Sequence, residues 1–213
     1  MPTSSPGATD NDPASAPANN DRDRWNKKYR EASPETWATP DPFLLRAFSQ
    51  YILPSFQQGG HALDLAGGAG RHSIWLAKQG WEVTLIDVSE IAVEQARQNA
   101  APVAPRIHFV VDDLTRYKAS QTQFDLVIVF FFLNRNIFPE IIKSLRPGGF
   151  LIYKTHTQSA HPDPGQNASA DKMNPSYLLH PGELRRLAAG LDILHHREVA
   201  AKKSTVELIA RKK

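Results

Sequence analysis

Ala62-Leu-Asp-Leu-Ala-Gly-Gly-Ala-Gly-Arg-His-Ser-Ile-Trp-Leu-Ala-Lys-Gln-Gly80 is the stretch that decides how the chain folds. A short apolar run reaches Asp64, turns through Gly67, Gly68 and Gly70, and opens into an amphipathic segment closed by Gly80. That order predicts a strand, a glycine loop and a helix. Glycine lets the backbone turn tightly and approach a ligand with no Cβ in the way. The helix that follows turns free N–H groups toward an anionic group. Seventeen residues beyond Gly70, Asp87 ends a second apolar run, Trp81 to Ile86. An acid there is placed to accept hydrogen bonds from a ribose diol. Together the two segments describe a nucleoside-binding corner. A nicotinamide dinucleotide fits it poorly, because Ser73 stands where the Gly-x-Gly-x-x-Gly pattern needs its third glycine.

The alternation continues on both sides of this corner. Expected strands are His61 to Ala66, Glu82 to Asp87, Arg106 to Val111, Phe124 to Phe130 and Phe150 to Lys154. Helices are expected from Arg71 to Gln79, after the cap Ser89, and along the stripe Ile137, Ile141, Ile142 and Leu145, stopped by Arg146-Pro-Gly-Gly149. Phe124 to Phe130 is apolar nearly throughout, as a central strand covered on both faces should be. A last helix starts at Pro181, and Leu191 to Val199 with Thr205 to Ala210 form an antiparallel pair. The fold class is therefore α/β: a doubly wound, mostly parallel seven-stranded sheet with an antiparallel C-terminal edge hairpin. Residues 1–23 lack apolar periodicity and read as a disordered tail, leaving 24–213 as one domain. Gln158 to Asn174 reads as a loop over the site.

The chain has 213 residues, 41% hydrophobic and 22% charged, which suits one globular domain. It has no cysteine, so disulfides, thiolate metal sites and cysteine nucleophiles are excluded. The N-terminus lacks the apolar core of a signal peptide and no apolar run approaches a membrane span, so a cytoplasmic location is expected. The net charge is +3. Residues 1–23 carry four Asp against one Arg, so the rest is basic, with a cluster from Arg197 to Lys213. No aromatics interleave with that cluster, so a solvated hairpin and tail is expected and a nucleic-acid partner is not.

Five short motifs occur in order: Leu-Asp-Leu-Ala-Gly-Gly-Ala-Gly-Arg71, Val-Thr-Leu-Ile-Asp-Val-Ser89, Val-Val-Asp-Asp-Leu114, Phe-Asp-Leu-Val-Ile-Val129 and Leu-Arg-Pro-Gly-Gly-Phe-Leu151. They resemble class I S-adenosylmethionine-dependent methyltransferases, which implies a Rossmann-like methyltransferase fold and S-adenosyl-L-methionine as cofactor. Trp25-Asn-Lys-Lys-Tyr29, Phe130-Phe-Phe-Leu-Asn-Arg135, Asn174-Pro175 and Leu178-Leu-His-Pro-Gly-Glu-Leu184 resemble the tellurite-resistance methyltransferase group, related to the thiopurine type. The resemblance implies cofactor contacts from Asp64, Ala66, Gly68, Gly70, Asp87, Val88, Asp113, Leu114 and Phe130. Asp87 would hold the ribose, and Asp113 with the Leu114 N–H would hold the adenine. Ala66 stands where many members carry a glycine, which is tolerable if its φ is negative. Asn134 replaces a histidine of the subgroup.

Methyl transfer is an in-line displacement in which the protein mainly aligns the reactants, and alignment can supply up to roughly 7–11 kcal/mol. Soft acceptors such as thiolates, selenolates or tellurium oxyanions need no general base at neutral pH. An aromatic wall favours a sulfonium, and Trp25, Tyr29 and Phe131 are the expected acceptor-side residues. At least one of Phe130, Phe131 and Phe132 is expected in the core, since neighbouring strand residues face opposite ways. Arg135 is expected to hold an anionic acceptor, and Arg135 with His156 are the candidate catalytic residues. His72 reads as a solvated helix residue, and no metal is expected. The expected function is methylation of a small molecule, with an RNA or protein methyltransferase or a non-catalytic cofactor-binding protein as alternatives. Nothing in the residues fixes an oligomeric state.

Overall fold

The computed structural model describes residues 18–33, 38–119, 122–158, 174–199 and 204–213, with backbone alone for 18–20. Its strands are β1 (His61–Leu65), β2 (Glu82–Asp87), β3 (Ile107–Val111), β4 (Phe124–Phe130), β5 (Leu145–His156), β6 (Asp192–Val199) and β7 (Thr205–Arg211). Its helices are α1 (Ala18–Glu31), α2 (Pro42–Ala47), α3 (Arg71–Lys78), α4 (Glu90–Asn99), α5 (Phe138–Ser144) and α6 (Glu183–Leu187). The seven strands form one sheet in the order β3-β2-β1-β4-β5-β7-β6. The first five are parallel, and β7 runs antiparallel to both β5 and β6. The chain walks outward from β1 to β3, then returns to lay β4 on the other side of β1. Strand order reverses there, and a crevice opens at the carboxyl ends of β1 and β4.

Two apolar layers sandwich the sheet, because β4 is apolar on both faces. Leu126, Ile128 and Phe130 pack with Phe43, Leu44, Leu76, Trp81 and Val93 from the side of α2, α3 and α4. Val127 and Val129 pack with Phe138, Ile141 and Leu184 from the side of α5 and α6. Fully burying one such side chain stabilises the fold by about 1.5–3 kcal/mol. Ser89 caps α4 by accepting from the Ala92 N–H at 3.1 Å, and Asp41 caps α2 by accepting from the Phe43 N–H at 2.8 Å. Beyond α2 the helix widens, with the Leu53 N–H reaching back five residues to the Phe48 carbonyl.

Three boundaries depart from the sequence reading. Helix α1 begins at Ala18, inside the stretch expected as tail. Asp21 in its first turn suits the helix dipole and pairs with Arg24 at 2.9 Å. Residues 1–17 lie outside the described residues, as does most of the expected loop, 159–173. Strand β5 starts five residues early, because Leu145 pairs with Phe124 ahead of a register shift. The basic C-terminus is also not simply solvated. Lys212 Nζ donates to the carbonyls of Leu145 at 2.7 Å and Ile142 at 2.9 Å, closing the C-terminal end of α5. Arg211 Nε donates to the Gly148 carbonyl at 3.1 Å. No helix among the described residues is long and apolar enough to cross a membrane.

Candidate active site

A cavity of about 600 Å³ lies at the carboxyl ends of β1, β2 and β4. Its size is within the roughly 300–1,000 Å³ of small-molecule sites. The loop after β1 makes one wall. Gly68 takes φ +56°, and its N–H donates to Asp87 Oδ2 at 2.8 Å. A Cβ on Gly68 would strike the Tyr29 hydroxyl, so only glycine fits beneath that ring. Gly70 takes φ +82°, and a Cβ there would come within 2.9 Å of the Ala96 Cβ on α4. Ala66 is also left-handed, at φ +57°, so the condition under which an alanine there is readily tolerated, a negative φ, is not met. The turn needs that conformation, and a non-glycine residue holds it at a cost of about 1–2 kcal/mol.

Two acids project from the next loops. Asp87 also accepts from the Ser89 N–H at 2.9 Å, and burial raises its carboxyl above the ordinary range against the pull of these backbone bonds. A carboxylate has about four lone-pair positions, so capacity remains toward the cavity. Asp113 accepts from the Thr115 N–H through Oδ1 at 2.9 Å. Its Oδ2 is buried and accepts no hydrogen bond among the described residues, although Asp113 lines the cavity. Arg116 Nε lies 3.8 Å from that oxygen, an ion pair too long to be a hydrogen bond. Val88 and Leu114 line the same end.

The other end is aromatic. Trp25, Tyr29, Phe130, Phe131, Phe132, His156 and Tyr177 all line it. All three successive phenylalanines touch the cavity, and Phe130 is at the same time part of the core, as expected of at least one of them. Phe131 and Phe132 join it there because Phe131, at φ +58°, breaks the extended backbone just past β4. The turn is pinned by the Phe131 N–H to the Lys154 carbonyl at 2.7 Å and by Tyr153 Oη to the Phe132 carbonyl at 2.7 Å. The His156 ring lies 5.1 Å from that of Phe131. Helix α1 roofs the cavity. Asn26 anchors it by accepting from Ser89 Oγ at 2.7 Å and donating to Glu90 at 3.1 Å. Arg24 bonds Tyr177 Oη at 3.1 Å across the mouth.

Of the expected residues, Trp25, Tyr29, Ala66, Asp87, Val88, Asp113, Leu114, Phe130, Phe131 and His156 form the cavity surface. Asp64, Gly68 and Gly70 stand behind it. Arg135 is not brought there. Its guanidinium grips Glu183 at 2.6 and 3.0 Å and donates to the carbonyls of Ser176 and Leu178. All its donating edges point at the segment leading into α6, so it clamps that segment instead of holding an acceptor. Arg135→Met should leave S-adenosylhomocysteine affinity within about twofold by calorimetry. The lost bonds should cost about 1–3 kcal/mol in urea unfolding, at the low end because the side chain is 36% exposed.

Among the cavity residues that were not foreseen are Arg71 and His72. Arg71, first in α3, forms no ion pair or hydrogen bond among the described residues and lines the cavity beside the glycine loop. His72 is 3% exposed, not solvated. It shares a helix face with the buried Leu76, four residues on, and that spacing was the available signal.

Asp64 is fully buried and accepts from Ser73 Oγ at 2.7 Å. Burial pushes its carboxyl up to about 7, against the Ser73 hydroxyl and the Arg71 charge. An acid raised in the folded state keeps a proton that the unfolded chain has released. The stability this provides is complete below the unfolded value near 4 and is lost as pH rises through about 7. Between pH 5 and 7 the parent should therefore lose on the order of 2 kcal/mol relative to Asp64→Asn. Urea unfolding of both at each pH checks this, and parallel curves would contradict it.

Comparison with known proteins agrees with this geometry. Residues 62–149 match a family model described as a methyltransferase domain. A putative methyltransferase of Bacillus subtilis, YqeM, is 32% identical over 119 residues, covering 52% of this chain and 48% of that protein. The chain thus spans about half the length of that relative. Among solved structures, N-methyltransferase NodS of Bradyrhizobium japonicum with S-adenosyl-L-homocysteine is 18% identical, with TM-score 0.64 over 88% of this chain and 98% of that one. TehB of Haemophilus influenzae is also 18% identical, with TM-score 0.64 over 90% of this chain and 67% of that one. Residues 62–149 thus match a methyltransferase domain, and the fold around them is the Rossmann-like fold of the solved methyltransferase structures.

Proposed function

We propose that the chain methylates a small molecule from S-adenosylmethionine, and that the acceptor is a soft nucleophile: a thiol, or a selenium or tellurium species. The observation that carries this is one cavity with two acids from the loops after β2 and β3 at one end and an aromatic wall at the other. Asp87, Val88, Asp113 and Leu114 line one end of the cavity, and Trp25, Phe130, Phe131 and His156 line the other. S-adenosylmethionine, when bound, supplies a methyl group on a positively charged sulfur, and the acceptor's lone pair displaces that sulfur, which keeps the electrons of the broken bond. Asp87 would take the ribose hydroxyls and Asp113 the adenine amino group. Arg71, which lines the cavity beside the glycine loop, would meet the methionine carboxylate. Phe130, Phe131 and Trp25 offer π-faces that favour a positive sulfur and exclude water.

The soft-acceptor part rests on chemistry and on short motifs. No residue is needed as a base for an acceptor that arrives ionised. Trp25 and Tyr29 belong to a motif that resembles the tellurite-resistance group, and both are cavity residues. An RNA acceptor is less well supported, because Arg211 and Lys212 of the basic cluster are committed to backbone carbonyls. Calorimetry with S-adenosylhomocysteine tests the cofactor. Saturable one-to-one binding is expected, and no heat at millimolar ligand would sink the reading. A methyl-transfer screen over thiols, selenite, tellurite, amines and phenols then tests the acceptor, with turnover of the first three expected.

A further inference from the structure

His72 forms part of the cavity wall, its ring centroid 4.2 Å from that of Phe130. The Asp41 backbone N–H lies 3.2 Å from its Nε2. A backbone N–H can only donate, so Nε2 accepts, and in the neutral ring the hydrogen resides on Nδ1. Burial, with the nearby charges of Arg71 and Lys154, holds His72 well below the ordinary imidazole value, which keeps the ring neutral. Nδ1 has no hydrogen-bond partner among the described residues, yet it is not one of the polar atoms sealed from solvent. With Nε2 turned to the Asp41 N–H and the residue lining the cavity, Nδ1 is the ring nitrogen left available to it.

The far side of the ring is held firmly. Asp41 Oδ1 accepts from the Phe43 N–H at 2.8 Å and from Lys154 Nζ at 3.1 Å. Lys154 Nζ in turn lies 3.2 Å from Glu207 Oε1 on β7. The Asp41 peptide is therefore anchored from α2 and from two strands, and with it the tautomer of His72.

We propose that His72 is a fixed hydrogen-bond donor to the methyl acceptor through Nδ1–H, selecting acceptors that present an unprotonated oxygen or sulfur there over amines and ammonium groups. This rests on the methyltransferase reading above. With its Nε2 lone pair engaged and Nδ1 carrying the hydrogen, the ring orients the acceptor and takes no proton from it. An anionic acceptor leaves no proton to dispose of, since its lone pair makes the new bond to carbon as the carbon–sulfur bond breaks toward sulfur.

The test uses the full chain with ¹⁵N-labelled histidine, saturated with S-adenosylhomocysteine, and His72 assigned through His72→Phe. The ring should show a protonated Nδ1 and an unprotonated Nε2. Benzenethiolate or selenite should shift Nδ1, and benzylamine should not. In turnover of benzenethiol, His72→Phe should raise KM at least tenfold with kcat changed less than threefold and S-adenosylhomocysteine affinity within twofold. His72→Asn, which keeps an N–H donor, should recover most of that KM. A hydrogen on Nε2, an Nδ1 unmoved by both anions, or cofactor affinity falling in step with KM would overturn the proposal alone. Failure to bind S-adenosylhomocysteine would overturn the methyltransferase reading and this inference with it.

Discussion

Gly68→Ala should cost the chain both stability and affinity for S-adenosylhomocysteine. The residue sits at φ +56°, where an L side chain costs about 1–2 kcal/mol. Its new Cβ would also strike the hydroxyl of Tyr29, a buried ring, and overpacking of that kind costs about 1–3 kcal/mol. The two together predict a thermal midpoint lower by about 5–15 °C, at about 2–4 °C per kcal/mol for a chain this size. S-adenosylhomocysteine should bind at least tenfold more weakly, because Tyr29 and the residues on either side of Gly68 form the cavity wall. Tyr29→Phe removes the struck atom. Gly68→Ala combined with Tyr29→Phe should therefore regain the packing part of the loss and keep the backbone part. A double variant no more stable than Gly68→Ala would mean that the hydroxyl is not the obstacle.

The second large effect is expected at Asp87. Its carboxylate accepts from the Gly68 and Ser89 N–H groups, joining the glycine loop to the start of α4. Asp87→Ala leaves both donors in search of water and removes the proposed ribose contact. Each hydrogen bond to a charged group is worth about 1.5–3 kcal/mol, so S-adenosylhomocysteine affinity should fall about 10- to 100-fold. Asp87→Asn keeps one accepting oxygen and should lie between parent and Asp87→Ala. Titration calorimetry on the three proteins reads this order directly, and parent-like affinity in Asp87→Ala would remove Asp87 from the cofactor site.

The sheet was legible because strand and helix periods differ and glycines mark the joins. Glu82 to Asp87 and Phe124 to Phe130 were read to the residue. The glycine loop and Asp87 were legible for a related reason, since local spacing sets where they lie, whereas Asp113 came only through the resemblance. What spacing cannot give is a partner distant in sequence. Arg135 looked like an anion clamp until Glu183, 48 residues away, took its guanidinium. His72 looked solvated because nothing near it in sequence announces the Asp41 peptide. Backbone sign is equally silent, and Ala66 and Phe131 both turn left-handed where an extended chain was the simpler expectation. Arg71 did carry a signal. A cation in the first turn of a helix opposes its dipole, so its presence there called for another use.

The order β5-β7-β6 sets a condition on how the molecule is assembled. β6 is synthesised before β7 but touches β5 nowhere in the sheet, because β7 lies between them. A nascent chain released as far as Val199 thus presents β5 as an open edge and β6 as an unattached ribbon, both available to neighbouring polypeptides. Only the arrival of Thr205 to Arg211 fills the gap, so shortening the protein by its last nine residues should yield aggregates, whereas an extension beyond Lys213 starts outside the sheet.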